Sequence, residues 1–392
     1  MKKILYYFTF LFCFTPLLAA EDFPIKEALA PYVENGELPG IVTIIADRER
    51  VLQMDVIGMS NRETETPMGG QSVFWIASQS KPITAVAVMM LVEEGKLSLD
   101  EPVTTYLPEL AELRVLAEKS DERTVLVPLK TPVTLRQLLS HTSGMPFVPP
   151  IQGRYGIDIL SLKHTVVACA MTPLQTQPGE AYAYSNLGIE MAAACVERVS
   201  GMPFEEFLQR RLFDPLEMKD TTFWPTVSQQ ERMALVYRWD GETKQLVPLN
   251  TPQLTYPLEN REIRHPAGAG GLFSTPRDLV KFYQMLLNEG KYRHWGWNVG
   301  RFINPPYYDV QILSPESVRE IAKKQTGDLP NGYGLGVVTH GPHGEVFGHG
   351  GMCGTDSMVD RGRDRVYLYF VQELGCPKAG EAREAFFRVA RP

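Results

Sequence analysis

The sequence predicts a mixed α/β (α+β) fold: one antiparallel sheet assembled from both chain ends, with helices flanking it. Three observations carry this prediction. Two apolar, β-branched runs at 41–47 and 51–57 lie near the start, split by Arg48-Glu49-Arg50. That is a hairpin pattern. Four short runs at 333–339, 345–349, 355–360 and 366–372 lie near the end, with tight Gly, Asp and Arg turns between them. Such spacing reads as an antiparallel meander. The long middle carries mainly helix signals.

Residues 1–20 read as a targeting segment. Lys2 and Lys3 form a positive start, 4–18 are apolar, and Ala19-Ala20 offers a small-residue cleavage site. The span is short for a transmembrane helix, and Pro16 interrupts it. No other stretch is long and apolar enough to cross a bilayer. The mature chain, 21–392, is therefore expected to be a single exported domain, periplasmic or secreted, without an integral membrane part. A helix is expected at 25–33, ahead of the first hairpin.

The organising stretch is FWIASQSKPITAVAVMMLVEEGK, residues 74–96. Ser78 and Lys81 stand at i and i+3 in what reads as the first turn of a helix. Residues at that spacing share a helix face, so hydroxyl and amine come within hydrogen-bond reach. A desolvated lysine can lose its proton and then accept the serine's. Pro82 is tolerated, because first-turn N–H groups have no intrahelical partner. Residues 83–92 are apolar on nearly every face, which marks a buried helix, and Gly95 suits its C-terminal cap. A reactive first turn on a core-locked helix is rigid support for a nucleophile.

Further along, 134–139 read as a helix with Thr131 or Thr134 capping it. The polar loop 140–146 follows, then helices near 164–171, 187–199 and 203–212. Residues 220–265 are Pro-rich and poorly periodic, with a short strand at 234–239. A glycine-rich turn at 267–273 leads into a helix capped by Ser274 or Thr275, with Pro276 at its first position. Residues 291–312 read as an irregular loop over a cleft, and 380–389 as a last helix.

Composition excludes several classes. Charge is mixed and net −7, without a basic stripe, so no nucleic-acid partner is expected. The seven His form no H-E-x-x-H, and no C-x-x-C occurs; neither a metal nor another cofactor is implied. Cys169, Cys195, Cys353 and Cys376 remain after leader removal. They allow three complete pairings, and buried free thiols are an equal alternative in a chain this large.

Two more stretches carry polar residues in unusual settings. PGEAYAYSNLG, 178–188, places Tyr184 and Asn186 just before a helix. A tyrosine beside a lysine can move the serine's proton and later protonate a leaving group; the plainer reading is a packed tyrosine with a bonded hydroxyl. VFGHGGMCGTDS, 346–357, ends an apolar strand in His349, Gly350 and Gly351. Paired glycines admit a ligand close to the backbone, and an adjacent N–H can face a developing oxyanion.

Together these residues resemble the serine β-lactamase and penicillin-binding protein superfamily, whose signature includes S-x-x-K. The match is nearest to its class C β-lactamase-like branch, with esterase and D-amino-acid peptidase members. It runs in order through SQSK (78–81), GKLSLDEPVTTYLPE (95–109), LLSHTSGM (138–145), PGEAYAYSN (178–186), GAGGLFST (268–275), YGLG (333–336) and GHGG (348–351). The resemblance implies an antiparallel sheet flanked by helices, a helical lobe, and a site between them. It implies Ser78 as acylated nucleophile, Lys81 as its activator and Tyr184 as proton shuttle. Asn186, His349, Gly350 and Gly351 would bind substrate, and the N–H groups of Ser78 and Met352 would form the oxyanion hole.

One departure bears on substrate. The third motif of β-lactamases is Lys-Thr-Gly, and here it is His-Gly-Gly. The cation and hydroxyl that hold a β-lactam carboxylate are missing, and neutral imidazole is a poor substitute. The expected activity is therefore hydrolysis of a small-molecule or peptide acyl substrate, an ester or amide. The alternatives are a D-amino-acid peptidase or carboxypeptidase, a weak β-lactamase, and a non-catalytic sensor on the same fold.

Overall fold

A computed structural model describes residues 23–249, 251–255, 257–295 and 307–391. The expected targeting segment lies outside them, as does the middle of the expected 291–312 loop. Seven strands form the main sheet: β1 (Gly40–Ala46), β2 (Val51–Asn61), β3 (Thr66–Pro67), β4 (Val338–His340), β5 (Val346–Gly350), β6 (Asp356–Asp360) and β7 (Arg365–Phe370). Their order is β4-β5-β6-β7-β1-β2-β3, antiparallel throughout. The two chain ends meet where β7 pairs with β1, Val42 opposite Phe370. The sheet built from both ends is thus observed.

β1 explains why that sheet is the centre of the molecule. All seven of its residues are buried. Val42, Ile44 and Ala46 face one core, and Ile41 and Ile45 face another. Alternation sends successive side chains to opposite faces, so a strand buried along its whole length must be covered twice. Helices α1 (Ile25–Glu34) and α5 (Ala379–Ala390) cover the outer face through Ile25, Leu29, Ala382 and Phe386. The inner face packs on helix α4 (Pro276–Leu287).

Beyond α4 lies the helical lobe, with α2 (Ser80–Glu93) against α3 (Asn186–Ser200). α2 is buried from Ser80 to Leu91. Gly95 turns the chain out of it at φ +68, a conformation that costs glycine little. Of the two candidates at each start, Thr134 and Thr275 are the residues that cap their helices.

Three local expectations need correction. The 333–339 run is strand only at Val338–His340; Gly336, at φ +67, takes the chain out of extended conformation just before it. The two ends of the 291–312 segment are not irregular but pair as antiparallel strands, Lys291–Trp295 with Tyr307–Gln311. Another hairpin, Arg114–Lys119 with Thr124–Pro128, was not anticipated; its charged residues break the alternation that would have shown it. The four cysteines are all free and buried. Among the described residues no helix is long and apolar enough to cross a membrane.

Candidate active site

Ser78 sits in a single 3-10 turn, Ala77–Gln79, immediately ahead of α2. It therefore lies two residues ahead of the α-helix proper, in the turn that leads straight into it. The chain entering this turn is pinned on both sides. Trp75 pairs with Phe273, and its indole donates to Gly270 O at 2.8 Å. Gln372 donates to Trp75 O, and Ile76 N–H to Leu272 O. Ala77 is left in the left-handed region at φ +45. Non-glycine residues occupy that region at a cost that surrounding structure must cover. Ser80 contributes by donating to Ala77 O at 2.7 Å.

Lys81 Nζ donates to Ser78 Oγ at 3.0 Å and to Ala269 O at 2.7 Å. Its side chain is fully buried, whereas Ser78 is partly exposed. Burial pulls the Lys81 ammonium down to about 7, and the carboxylate of Glu190 resists that fall. The amine lies 4.8 Å from the centre of the Tyr184 ring, a position that also favours its charged form. Burial moves the Tyr184 phenol well up, and the Ser78 hydroxyl beside it acts in the opposite direction. The tyrosine is thus neutral in the resting site, and the lysine titrates near neutrality.

Asn186 begins α3, capped by Ser185, whose hydroxyl accepts from Gly188 N–H at 2.9 Å. Asn186 and Leu187 anchor the neighbouring loop by donating their N–H groups to Phe147 O. The Asn186 Oδ1 is buried and has no hydrogen-bond partner among the described residues.

His349 is the next-to-last residue of β5, opposite Ser357. Its Nδ1 lies 2.6 Å from Gly350 O and its Nε2 2.8 Å from Tyr333 Oη. A carbonyl only accepts, so Nδ1 carries the proton and Nε2 receives the tyrosine's. Burial, and then the Lys81 charge, lower this imidazole to about 3. The imidazole is thus neutral at ordinary pH.

The two motif glycines differ. A Cβ on Gly351 would lie 2.2 Å from Thr355 Oγ1 and 2.4 Å from Ile76 O, whereas one on Gly350 would meet nothing nearer than 3.7 Å. Close approach of this turn to the strand before Ser78 therefore requires glycine only at 351. Met352 follows with its side chain exposed.

The fold thus brings Ser78, Lys81 and Tyr184 into one cluster, with Asn186 and His349 at its edges. Sequence reading missed four neighbours. His141, within the 138–145 motif, is fully buried among the rings of Tyr182, Tyr184 and Tyr333. Its Nδ1 accepts from Ser185 N–H at 3.1 Å, and burial holds it neutral. Tyr333, within YGLG, orients His349. Ala269 supplies the carbonyl for Lys81. Glu190 is buried one turn after Asn186 on α3. A lone acid inside an apolar helical run was the available signal for it.

Similarity to known proteins bears on the family and the fold. The family profile described as Beta-lactamase matches residues 25–387. Protein Rv1367c of Mycobacterium tuberculosis is 30% identical over 404 residues, 92% of this chain and 94% of that protein. Esterase EstB of Burkholderia gladioli is 28% identical over 340 residues, covering 81% and 76%. Among solved structures, a mutant of simvastatin synthase from Aspergillus terreus superposes with a TM-score of 0.74. It covers 93% of this chain and 95% of that one, at 22% identity. At that identity the likeness speaks for the fold.

Proposed function

The chain belongs to the Beta-lactamase family, and from that premise we propose that it is an exported serine hydrolase forming an acyl-enzyme on Ser78, acting on small esters or amides. Residues 21–392 act as one hydrolase domain of two lobes with the site between them. The observation that carries the reading is the 3.0 Å contact between Ser78 Oγ and a fully buried Lys81 amine that titrates near 7. At neutral pH a substantial fraction of that amine is free to take the serine's proton.

Ser78 Oγ then attacks the acyl carbonyl as its proton passes to Lys81 Nζ. The tetrahedral oxyanion is held by the N–H groups of Ser78 and Met352. Collapse breaks the bond to the leaving group, which receives a proton through the Tyr184 hydroxyl, replenished from Lys81. Water enters by the same route in reverse, restoring Ser78 and releasing the acid. The raised phenol of Tyr184 favours a relay over a standing phenolate, so Lys81 is the base.

The neutral His349 favours esters without a carboxylate beside the scissile bond over D-peptides, whose terminal carboxylate calls for a cation. The relationship to an esterase at 28% identity supports the same choice. The test is labelling of the intact protein with a fluorophosphonate, followed by peptide mapping. One adduct on the Ser78 peptide, lost in Lys81→Ala, is expected. No adduct on folded protein would overturn the enzyme reading in favour of a sensor. Faster turnover of D-alanyl-D-alanine peptides than of matched neutral esters would overturn the substrate reading.

A further inference from the structure

Glu190 is a buried acid with no place in the chemistry just described, yet it is wired to it. Its two carboxylate oxygens accept the N–H groups of Gly268 and Ala269, each at 3.0 Å. The carbonyl of Gly268 accepts from the Thr84 hydroxyl at 2.8 Å. The peptide joining 268 to 269 is thus gripped from both ends, by α3 on one side and α2 on the other. The next carbonyl, Ala269 O, is the one that holds Lys81 Nζ. Gly268 permits this approach, since a Cβ there would lie 2.9 Å from Ala193 Cβ and 3.1 Å from Thr84 Oγ1.

We propose that Glu190 is a positioning residue for the Ser78–Lys81 pair, acting through the Gly268–Ala269 backbone that it clamps. The inference rests on the serine chemistry proposed above and assigns Glu190 two tasks within it. One is geometric. A carboxylate has only acceptors, so it can satisfy two adjacent N–H groups at once and aim the following carbonyl at the lysine. The other is electrostatic: burial raises the Glu190 carboxyl to about 7, and in its ionised form it favours the lysine's charged form. The groups facing this pair are few. Glu190 interacts with Lys81 and, repulsively, with Asp158. Lys81 in turn acts on His141 and His349, both held neutral by burial, and lies over the neutral Tyr184 ring.

The sign of the expected effect follows. Without the carboxylate the lysine loses its proton more easily, so its base form persists to lower pH. The experiment is the rate of Ser78 labelling by a fluorophosphonate against pH, in the full-length protein. Glu190→Gln is expected to move the acid limb down by about one pH unit. It should also slow the plateau roughly tenfold or more, because its amide group faces an N–H it cannot accept. Glu190→Asp, which keeps the charge, is expected to return the limb towards its original position. Thr84→Val, which loosens the same peptide without changing charge, should slow labelling and leave the limb in place. A Glu190→Gln limb coincident with that of the unsubstituted protein overturns the proposal.

Should Glu190→Gln fail to fold, carboxyl 13C NMR of the otherwise unsubstituted protein decides. A glutamate signal titrating above the ordinary carboxylate range must shift its midpoint when Lys81 is replaced by Met, and no shift overturns the proposal. Failure of the unsubstituted protein to label would overturn the serine hydrolase reading, while the NMR titration still reports on the Glu190–Lys81 link.

Discussion

Replacing Gly351 with alanine should damage both stability and acylation, whereas the same change at Gly350 should do little to stability. The reasoning is geometric. At 351 the new methyl would lie 2.4 Å from Ile76 O and 2.2 Å from Thr355 Oγ1. Thr355 can rotate its hydroxyl away, but Ile76 O is main chain. To reach ordinary contact that carbonyl must recede by about 1 Å, two residues before the nucleophile. Ile76 cannot move alone, because its N–H is bonded to Leu272 O and its own carbonyl accepts from Gln79 N–H. Overpacking of this kind costs about 1–3 kcal/mol. A displacement of that size at a reacting atom costs on the order of 100-fold in rate. At 350 the nearest atom would be 3.7 Å away, so a methyl meets only van der Waals contact. The assay is thermal unfolding alongside fluorophosphonate labelling of both variants. Expected are a melting point lowered by several degrees and labelling slowed about 100-fold for Gly351→Ala, and a native melting point for Gly350→Ala. Equal melting points and equal labelling rates in the two variants would refute the argument.

Ser78→Ala should abolish labelling without unfolding the protein, and Lys81→Ala and Tyr184→Phe should each slow acylation by about 10²–10⁴-fold; near-native labelling in Lys81→Ala would remove the lysine from its role as base. The acid limb of kcat/KM for a neutral ester should have its midpoint near 7, following the lowered Lys81. Activity is then lost as pH falls through that value and the amine gains its proton, which stopped-flow ester hydrolysis from pH 5 to 9 would show. A limb placed between 4 and 5 would instead point to a carboxylate. Asp158→Ala should destabilise the protein by about 3–5 kcal/mol, since Arg264 and Asp158 lie 2.9 Å apart with almost no exposure and the guanidinium would be left buried without its counter-charge. Denaturant unfolding measures this, and a loss below about 1 kcal/mol would mean that water reaches the pair.

Much of the architecture was legible because its signals are local. β1 and β2 showed as β-branched runs around a charged turn, and α2 as an unbroken apolar stretch. The helix starts near Thr134 and Thr275 were marked by capping residues, although the sequence left Thr131 and Ser274 open beside them. Ser78 and Lys81 could be paired on paper because three residues of helical backbone are a known distance. The hairpin at 114–128 stayed hidden because its exposed strands alternate weakly, and a weak alternation looks like loop. His141 and Tyr333 stood inside recognisable motifs, but nothing in their neighbours along the chain says that their rings meet.

By itself, then, the order of residues determined the sheet built from both ends, the buried helix behind the nucleophile, and the spacing of serine to lysine. Each of these depends on periodicity or on contacts within a turn or two. Only the tertiary structure decided the chemical state of the groups. Lys81 titrates near 7 because burial strips its water. His349 is neutral because burial disfavours its charge, and Tyr333 and Gly350 O set its tautomer. Glu190 reaches the lysine through amides 78 and 79 residues further along. Desolvation and hydrogen-bond partners are properties of a place in space, and distant segments share such a place only once the chain has folded.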